Sequence, residues 1–108
     1  MQTITTDKYI IYKGENTFSN YNSKLQEAFN TPVAQNIILD LTSIETTEEQ
    51  VKSLEVFANI QNEQHKSFVI ILPTFDSDVF PEKLNVVPTL IEAEDIIDMD
   101  EMTRDLGF

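Results

Sequence analysis

Two uninterrupted apolar runs constrain the fold of this chain more than any other feature. The first, IIL at positions 37–39, lies within Asn36–Leu41, and the second, FVIIL at positions 68–72, lies within Ser67–Leu72. Successive side chains of a strand point to opposite faces of its sheet, so a strand that is apolar at consecutive positions is buried on both faces. Such strands are typical of parallel sheets that are covered by helices. We therefore interpret both segments as central strands of an α/β sheet.

The segments around these strands have helical periodicity. In residues 18–30, apolar side chains recur at spacings of three and four, which predicts an amphipathic helix before the first central strand. Val51, Leu54 and Phe57 repeat this spacing after the strand and predict one helix over Thr47–Gln64. A last helix is predicted after Pro88, and its expected inward residues are Leu90, Ala93, Ile96 and Ile97.

Three further β-rich segments complete the pattern, namely Thr3–Thr6, Tyr9–Lys13 and Leu84–Val87. Because strands alternate with helices along the chain, a largely parallel sheet follows, which the N-terminal strands can join in the antiparallel direction. A length of 108 residues suits one domain. The predicted fold is thus a single α/β domain over residues 1–108, with a mixed, largely parallel sheet of four to five strands and covering helices.

The formal net charge of −12 limits the classes of partner. Nucleic acids and anionic membranes are bound through an excess of Lys and Arg, so we expect neither. Such a charge promotes solubility, and electrostatic complementarity favours a basic protein as partner. The chain has no cysteine and one histidine, His65, so we expect no metal, no cofactor and no enzyme activity. The absence of a signal-peptide pattern and of a long apolar segment predicts a cytoplasmic protein.

Hydroxyl and carboxylate side chains crowd the segment after the first central strand. They are Asp40, Thr42, Ser43, Glu45, Thr46, Thr47, Glu48 and Glu49. Either Thr46 with Glu49 or Thr47 with Gln50 has the spacing of a capping box, and acids in a first helical turn favour the positive end of the helix dipole. The pattern thus indicates a helix start more strongly than a reaction site. The alternative function is phosphotransfer or small-ligand binding that uses Asp40 and the neighbouring hydroxyls.

The C-terminal segment carries an apolar stripe among its acids. Met99, Met102 and Leu106 continue the helical spacing past Ile96, and Phe108 follows them. A stripe at helical spacing is usually part of the core, and we interpret it so. The alternative is a docking surface, since methionine side chains adapt to irregular partners.

Several segments together resemble a known family. The segment YIIYKGENTFSNYNSKLQEAF, which contains Gly14-Glu15, resembles a strand, turn and first helix. The segment NIILDLTSIE resembles a strand that ends Asp-Leu-Ser-Gly-Val, with residues 40–44 in that place. SFVIIL and TLIEAEDII resemble a later strand and the closing helix. These segments are similar to those of the STAS domain, the fold of bacterial anti-sigma factor antagonists and of the cytoplasmic tail of sulfate transporters.

This resemblance implies a regulatory domain that acts by protein–protein contact at the strand-to-helix junction. The family's second helix usually opens Asp-Ser-Ser-Gly, and one of those serines is phosphorylated to release a partner. In this chain Thr47, Glu48, Glu49 and Gln50 occupy those positions, so the usual phosphoacceptor is missing. The expected partner-binding residues are Thr42, Ser43, Thr46, Thr47, Glu48 and Glu49.

Overall fold

The computed structural model describes residues 1–31, 34–74 and 76–107. The strands are β1 (Gln2–Thr5), β2 (Tyr9–Lys13), β3 (Asn36–Asp40), β4 (Phe68–Ile71) and β5 (Val86–Val87). The helices are α1 (Phe18–Phe29), α2 (Glu48–Lys52), α3 (Glu55–Glu63) and α4 (Leu90–Asp105). Two short 3₁₀ turns, Ser77–Val79 and Glu82–Leu84, lie between β4 and β5.

The five strands form one sheet in the order β1-β2-β3-β4-β5. β1 pairs with β2 in the antiparallel direction, and the other three pairs are parallel. The predicted α/β class and the mostly parallel sheet are therefore confirmed. The predicted strand Leu84–Val87 is shorter than expected, because Asn85 has a left-handed backbone (φ 49°) and the residues before it form a 3₁₀ turn.

The order of the strands determines which face each helix covers. Since β2, β3 and β4 follow one another across the sheet in the parallel direction, right-handed crossovers place the connecting helices on the same face. The main core lies between that face and α1, α2 and α3. The second core cluster lies on the opposite face, where Ala93 and Ile97 of α4 pack against residues of β2, β3 and β4. One helix therefore covers a whole face of the sheet.

The long helix predicted over Thr47–Gln64 is wrong, because the structure has two helices there. The break falls at Ser53-Leu54, where Leu54 N–H donates to the carbonyl of Val51 with 3₁₀ spacing. The Ser53 hydroxyl donates to the carbonyl of Gln50, a side-chain bond that competes with the regular helical pattern. Val51 and Leu54 are nevertheless both fully buried, so the apolar pattern identified the core residues correctly.

The inward face of α4 differs in part from the prediction. Ala93 and Ile97 are fully buried and Ile96 is half-buried, as the spacing indicated. Leu90 is exposed, because the first turn of the helix lies at the edge of the sheet, directly after the two-residue β5. The sheet-facing surface of α4 is thus narrow.

A buried hydroxyl joins α1 to the sheet. Tyr21 is fully buried, and its hydroxyl donates to the carbonyl of Tyr12 in β2 over 2.6 Å. Burial raises the pKa of Tyr21 well above its ordinary value of about 10, and the nearby Asp40 carboxylate and Tyr12 raise it further.

Candidate functional site

The predicted contact surface lies at the carboxyl edge of the sheet, where β3 passes into a turn. Asp40 ends β3, and its Oδ1 accepts hydrogen bonds from Thr42 N–H (3.0 Å) and from the Thr42 hydroxyl (2.7 Å). These two bonds hold the turn that leads into residues 42–46. The Asp40 carboxylate therefore has a local structural role.

The helix start uses Thr47 as its cap. Thr47 Oγ1 accepts from Gln50 N–H (3.1 Å), and Gln50 Oε1 accepts from Thr47 N–H (2.9 Å). Of the two capping boxes that the sequence allowed, the pair Thr47 and Gln50 is the one that forms. Glu48 pairs with Lys52 over 2.8 Å, an exposed i,i+4 ion pair of small energetic value.

The six residues expected to bind a partner differ in exposure. Thr42, Ser43, Thr47, Glu48 and Glu49 are exposed, whereas Thr46 is half-buried. The Oγ1 atom of Thr46 is fully buried and has no hydrogen-bond partner within the part of the chain that the structure describes. Residues 42–46 line one open depression together with Thr74 of the next loop. The structure thus brings the turn residues together and places Thr47, Glu48 and Glu49 beside them on α2.

Gly14 and Ile44 support this junction from below. Gly14 N–H donates to the carbonyl of Asp40 (2.8 Å), which ties the loop after β2 to the end of β3. A Cβ atom on Gly14 would lie 2.8 Å from Ile44 Cδ1 and 3.1 Å from its Cγ1, closer than carbon atoms approach. Ile44 is buried, so its close contact with Gly14 limits how far the turn can move relative to the sheet.

The alternative function would use Asp40 at the carboxyl end of β3. In open α/β sheets, ligands bind where the strand order reverses, and here the order runs from β1 to β5 without a reversal. Among residues 1–31, 34–74 and 76–107, no group of three or more His, Asp or Glu side chains is arranged to hold a metal ion.

The outward face of α4 is apolar. Ile91, Met99, Met102 and Leu106 are 72%, 67%, 64% and 67% exposed, and we call these four residues the outer stripe. The interpretation of Met99, Met102 and Leu106 as core residues is therefore wrong. Their spacing is helical, but Ala93 and Ile97 occupy the side of the helix that faces the sheet. Phe108, which was grouped with them, lies outside the described residues.

Acidic side chains interrupt and border the outer stripe. Asp95 is exposed and lies one turn from both Ile91 and Met99 on the same side of the helix, so its carboxylate separates Ile91 from the other three residues. Asp98 is also exposed and pairs with Lys8 over 2.9 Å, which raises the pKa of Lys8 through this hydrogen bond and the charge of Asp98. The uninterrupted apolar part of the outer stripe is therefore Met99, Met102 and Leu106.

A network of polar side chains, which the sequence analysis did not predict, attaches the end of α4 to the starts of the strands. Asn36 donates to Glu101 Oε1 (2.8 Å), and the Ser67 hydroxyl donates to Asp100 Oδ2 (2.7 Å). Arg104 donates to both Asn36 Oδ1 (3.3 Å) and Ser67 Oγ (3.4 Å). We call these five residues the amino-edge clasp. Its only sequence signal is a polar residue directly before each apolar run.

Comparison with known proteins adds no family to these observations. A scan against family models found no match, and searches of curated proteins and of solved structures found none either. The class that the fold defines is an α/β protein with a five-stranded, mostly parallel sheet. Within the described parts of the chain, no helix has the length and apolar character needed to cross a bilayer.

Proposed function

We propose that this chain is a non-enzymatic protein-interaction domain whose main contact surface is the outer stripe of α4. The observation that carries the proposal is the exposure of four large apolar side chains on one face of a helix in an acidic chain. Exposed apolar surface among polar residues is typical of protein–protein contact sites, and Met99, Met102 and Leu106 form its uninterrupted part. Two of the four residues are methionines, whose flexible side chains suit an irregular partner surface.

The charge of the chain determines the kind of partner. With a net charge of −12, and with the exposed Asp95 and Asp98 within and beside the outer stripe, the partner surface is an apolar groove bordered by Lys and Arg. The recognition mode is a helix laid into a groove, with Ile91, Met99, Met102 and Leu106 as anchors spaced along α4. Burial of the anchors provides affinity, and the charges increase the association rate.

The junction at residues 42–49 is the second contact surface of this proposal. Its turn residues are exposed and lie together, and Ile44 holds them in place. The Thr47 hydroxyl is engaged in the helix cap and the Glu48 carboxylate in an ion pair with Lys52. We infer a fixed contact surface rather than a phosphorylation switch, since Glu48 and Glu49 stand where the resemblance places the phosphoacceptor serine.

A STAS-like architecture is the finer part of the proposal. The element order β-β-α-β-α-α-β-β-α supports it, with α2 and α3 in the place of the second helix and the two short 3₁₀ turns in the place of a helix between β4 and β5. The position of the Asp40-Leu41-Thr42 segment at the carboxyl end of a central strand supports it as well. These are similarities in the arrangement of strands and helices. The proposed partner is still a basic protein with an apolar groove, because that follows from the charge and the exposed apolar residues.

Matched surface variants test the proposal. The double variant Met99→Ser/Met102→Ser removes half of the outer stripe, and Glu48→Lys/Glu49→Lys reverses charge at the junction. Val56→Ser is the control, because Val56 is an exposed apolar residue (55%) on α3. The stripe variant and the control should keep the free energy of unfolding within about 0.5 kcal/mol of the parent, as exposed substitutions usually do. The junction variant should lose about 1–2 kcal/mol, because two acids of the first turn of α2 become cations and the Glu48–Lys52 pair is lost, so its capture is compared at a temperature where it is folded.

Each tagged variant is used to capture proteins from the cells that produce it, with quantitative mass spectrometry, and the affinity of the purified partner is then measured by calorimetry. We expect a basic partner whose affinity falls about tenfold or more with the stripe variant and is unchanged with Val56→Ser. Added salt should slow its association. Equal capture by the stripe variant and the control would refute the assignment of the surface. Loss of capture with the junction variant alone would move the main contact to residues 42–49.

A further inference from the structure

A polar cleft of about 420 Å³ lies at the amino edge of the sheet, away from the junction and the outer stripe. It is bounded by the end of α3, the start of β4, the 3₁₀ turn at residues 82–84 and the end of α4. The lining residues that matter here are His65, Lys66, Ser67, Lys83, Asp100 and Arg104. Asn59, Asn62 and Asn85 add side-chain amides to the wall.

The cleft concentrates the few cations of an acidic chain. The chain has seven Lys and Arg residues against 19 Asp and Glu residues, and three of the seven line this cleft together with the only histidine. Asp100 is the one acidic residue in the described lining, and its Oδ2 already accepts the hydrogen bond from the Ser67 hydroxyl. The lining of the cleft thus has a net positive charge, whereas the whole chain has a net negative charge.

Within the described part of the chain, two of the three cations have no carboxylate partner. The ion pairs within 4.0 Å in these residues involve Lys8, Lys52 and Lys83, and neither Lys66 nor Arg104. Arg104 is half-buried, and its hydrogen bonds to Asn36 and Ser67 go to neutral oxygens over 3.3 and 3.4 Å. A guanidinium has five N–H donors in a planar fork that fits an oxyanion, so donors are left for a ligand.

The helix dipoles explain only part of this cluster. A cation near the end of α3 and another near the end of α4 would be favourable without any ligand. However, α3 already ends in a Schellman motif, in which His65 N–H donates to Asn62 O (3.1 Å) and Lys66 N–H donates to Gln61 O (3.0 Å). These bonds satisfy late carbonyls of the helix. Lys83 comes from a different segment, so no dipole of α3 or α4 accounts for it.

We propose that the cleft binds a small oxyanion, the phosphate group of a small molecule or free phosphate. Arg104 and Lys66 supply the charged donors, and Lys83, which pairs with Glu55 over 2.8 Å, lies at the rim. Charge-assisted hydrogen bonds to phosphate oxygens are about twice as strong as neutral ones, which offsets the repulsion by the acidic chain. This site is independent of the outer stripe, and its failure would leave the proposed function unaffected.

The test is a titration of the full chain, labelled with ¹⁵N, with sodium phosphate and separately with glycerol 3-phosphate, against sodium chloride at matched ionic strength. We expect amide shifts confined to the cleft, at residues 65–68, 85 and 103–104. Tighter binding of glycerol 3-phosphate assigns the cleft to an organic phosphate, and tighter binding of phosphate assigns it to the free ion. Either result supports the oxyanion site.

Matched variants distinguish phosphate binding in the cleft from non-specific attraction to any positive side chain. Lys66→Gln should weaken phosphate binding about tenfold, because one charge-assisted contact is lost. Lys24→Gln, an exposed lysine on α1, should leave it unchanged. Arg104→Lys should also weaken binding. Because Arg104 belongs to the amino-edge clasp, Arg104→Lys can unfold the protein, and in that case Lys66→Gln alone decides the test. Equal shifts with chloride, or equal weakening by Lys24→Gln, would overturn the proposal.

Discussion

The contact between Gly14 and Ile44 allows a quantitative prediction about the junction. In Gly14→Ala, the new Cβ would lie 2.8 Å from Ile44 Cδ1 and 3.1 and 3.3 Å from its Cγ atoms, so Ile44 must move. Overpacking of this kind costs about 1–3 kcal/mol. Gly14 does not have a left-handed backbone, so alanine also brings a gain of about 0.4–1 kcal/mol through the unfolded state. We expect a net loss of about 1–2 kcal/mol in the free energy of unfolding.

Urea denaturation measures this loss, and a double-mutant cycle identifies its cause. A loss of about 1.5 kcal/mol lowers the midpoint by roughly 0.5–1.5 M urea. Ile44→Val removes the Cδ1 atom and should relieve the close contact, so the double variant should be more stable than the sum of the single effects by at least about 0.5 kcal/mol. Ile97→Val, on the opposite face of the sheet, is the matched control and should be additive with Gly14→Ala. If Gly14→Ala is additive with Ile44→Val as well, or if Gly14→Ala stabilises the protein, then close packing of Ile44 against Gly14 is not the cause of the loss.

Four further predictions concern single side chains. The pKa of Tyr21 is raised in the folded state, so ionisation above about pH 10 favours the unfolded state. The free energy of unfolding of the parent should therefore fall with pH more steeply than that of Tyr21→Phe, by up to about 1.4 kcal/mol per pH unit. Parallel curves of stability against pH would contradict this. Thr47→Ala should cost about 1 kcal/mol in urea denaturation through loss of the helix cap, and no change would show that the cap is not formed in solution. Thr46→Val should be neutral or stabilising, since Oγ1 has no partner in the described chain, and a loss above about 1 kcal/mol would reveal one. His65→Gly should raise the free energy of unfolding by roughly 1 kcal/mol because φ is 59°, and a lower melting temperature would contradict this.

The sequence predicted the central part of the fold because local patterns determine it. The continuous apolar runs gave β3 and β4, and residues 18–30 gave α1, with bounds that the structure moves by one or two residues. The short length of β5 was not predictable, since it depends on the left-handed backbone of Asn85. The break between α2 and α3 has a similar cause, a serine side chain that bonds to the backbone where the apolar period itself continues.

The candidate surfaces were less predictable because they depend on contacts that are distant in sequence. Helical spacing found Met99, Met102 and Leu106, but α4 is apolar on two sides, and the pattern alone does not identify the side that meets the sheet. Ile91 belongs to the outer stripe and was missed, although it lies eight residues before Met99. The bonds of the amino-edge clasp join residues 33 to 68 positions apart, and the cleft is lined by separate segments between residues 58 and 104, so no local pattern reveals them.

The unbroken strand order has a consequence for folding kinetics. Every pair of neighbouring strands is also adjacent along the chain, and the contacts that close the centre of the sheet span only 28 residues between Lys8 and Asn36 and 31 between Asn36 and Ser67. The ion pair between Lys8 and Asp98 spans 90 residues. Because loop closure costs more entropy as the loop lengthens, and local contacts speed folding, the sheet with α1, α2 and α3 can assemble early. We expect the contact of α4 with β2 to form last, and until it does the apolar face formed by Ile11, Ile38 and Val69 is partly open to water.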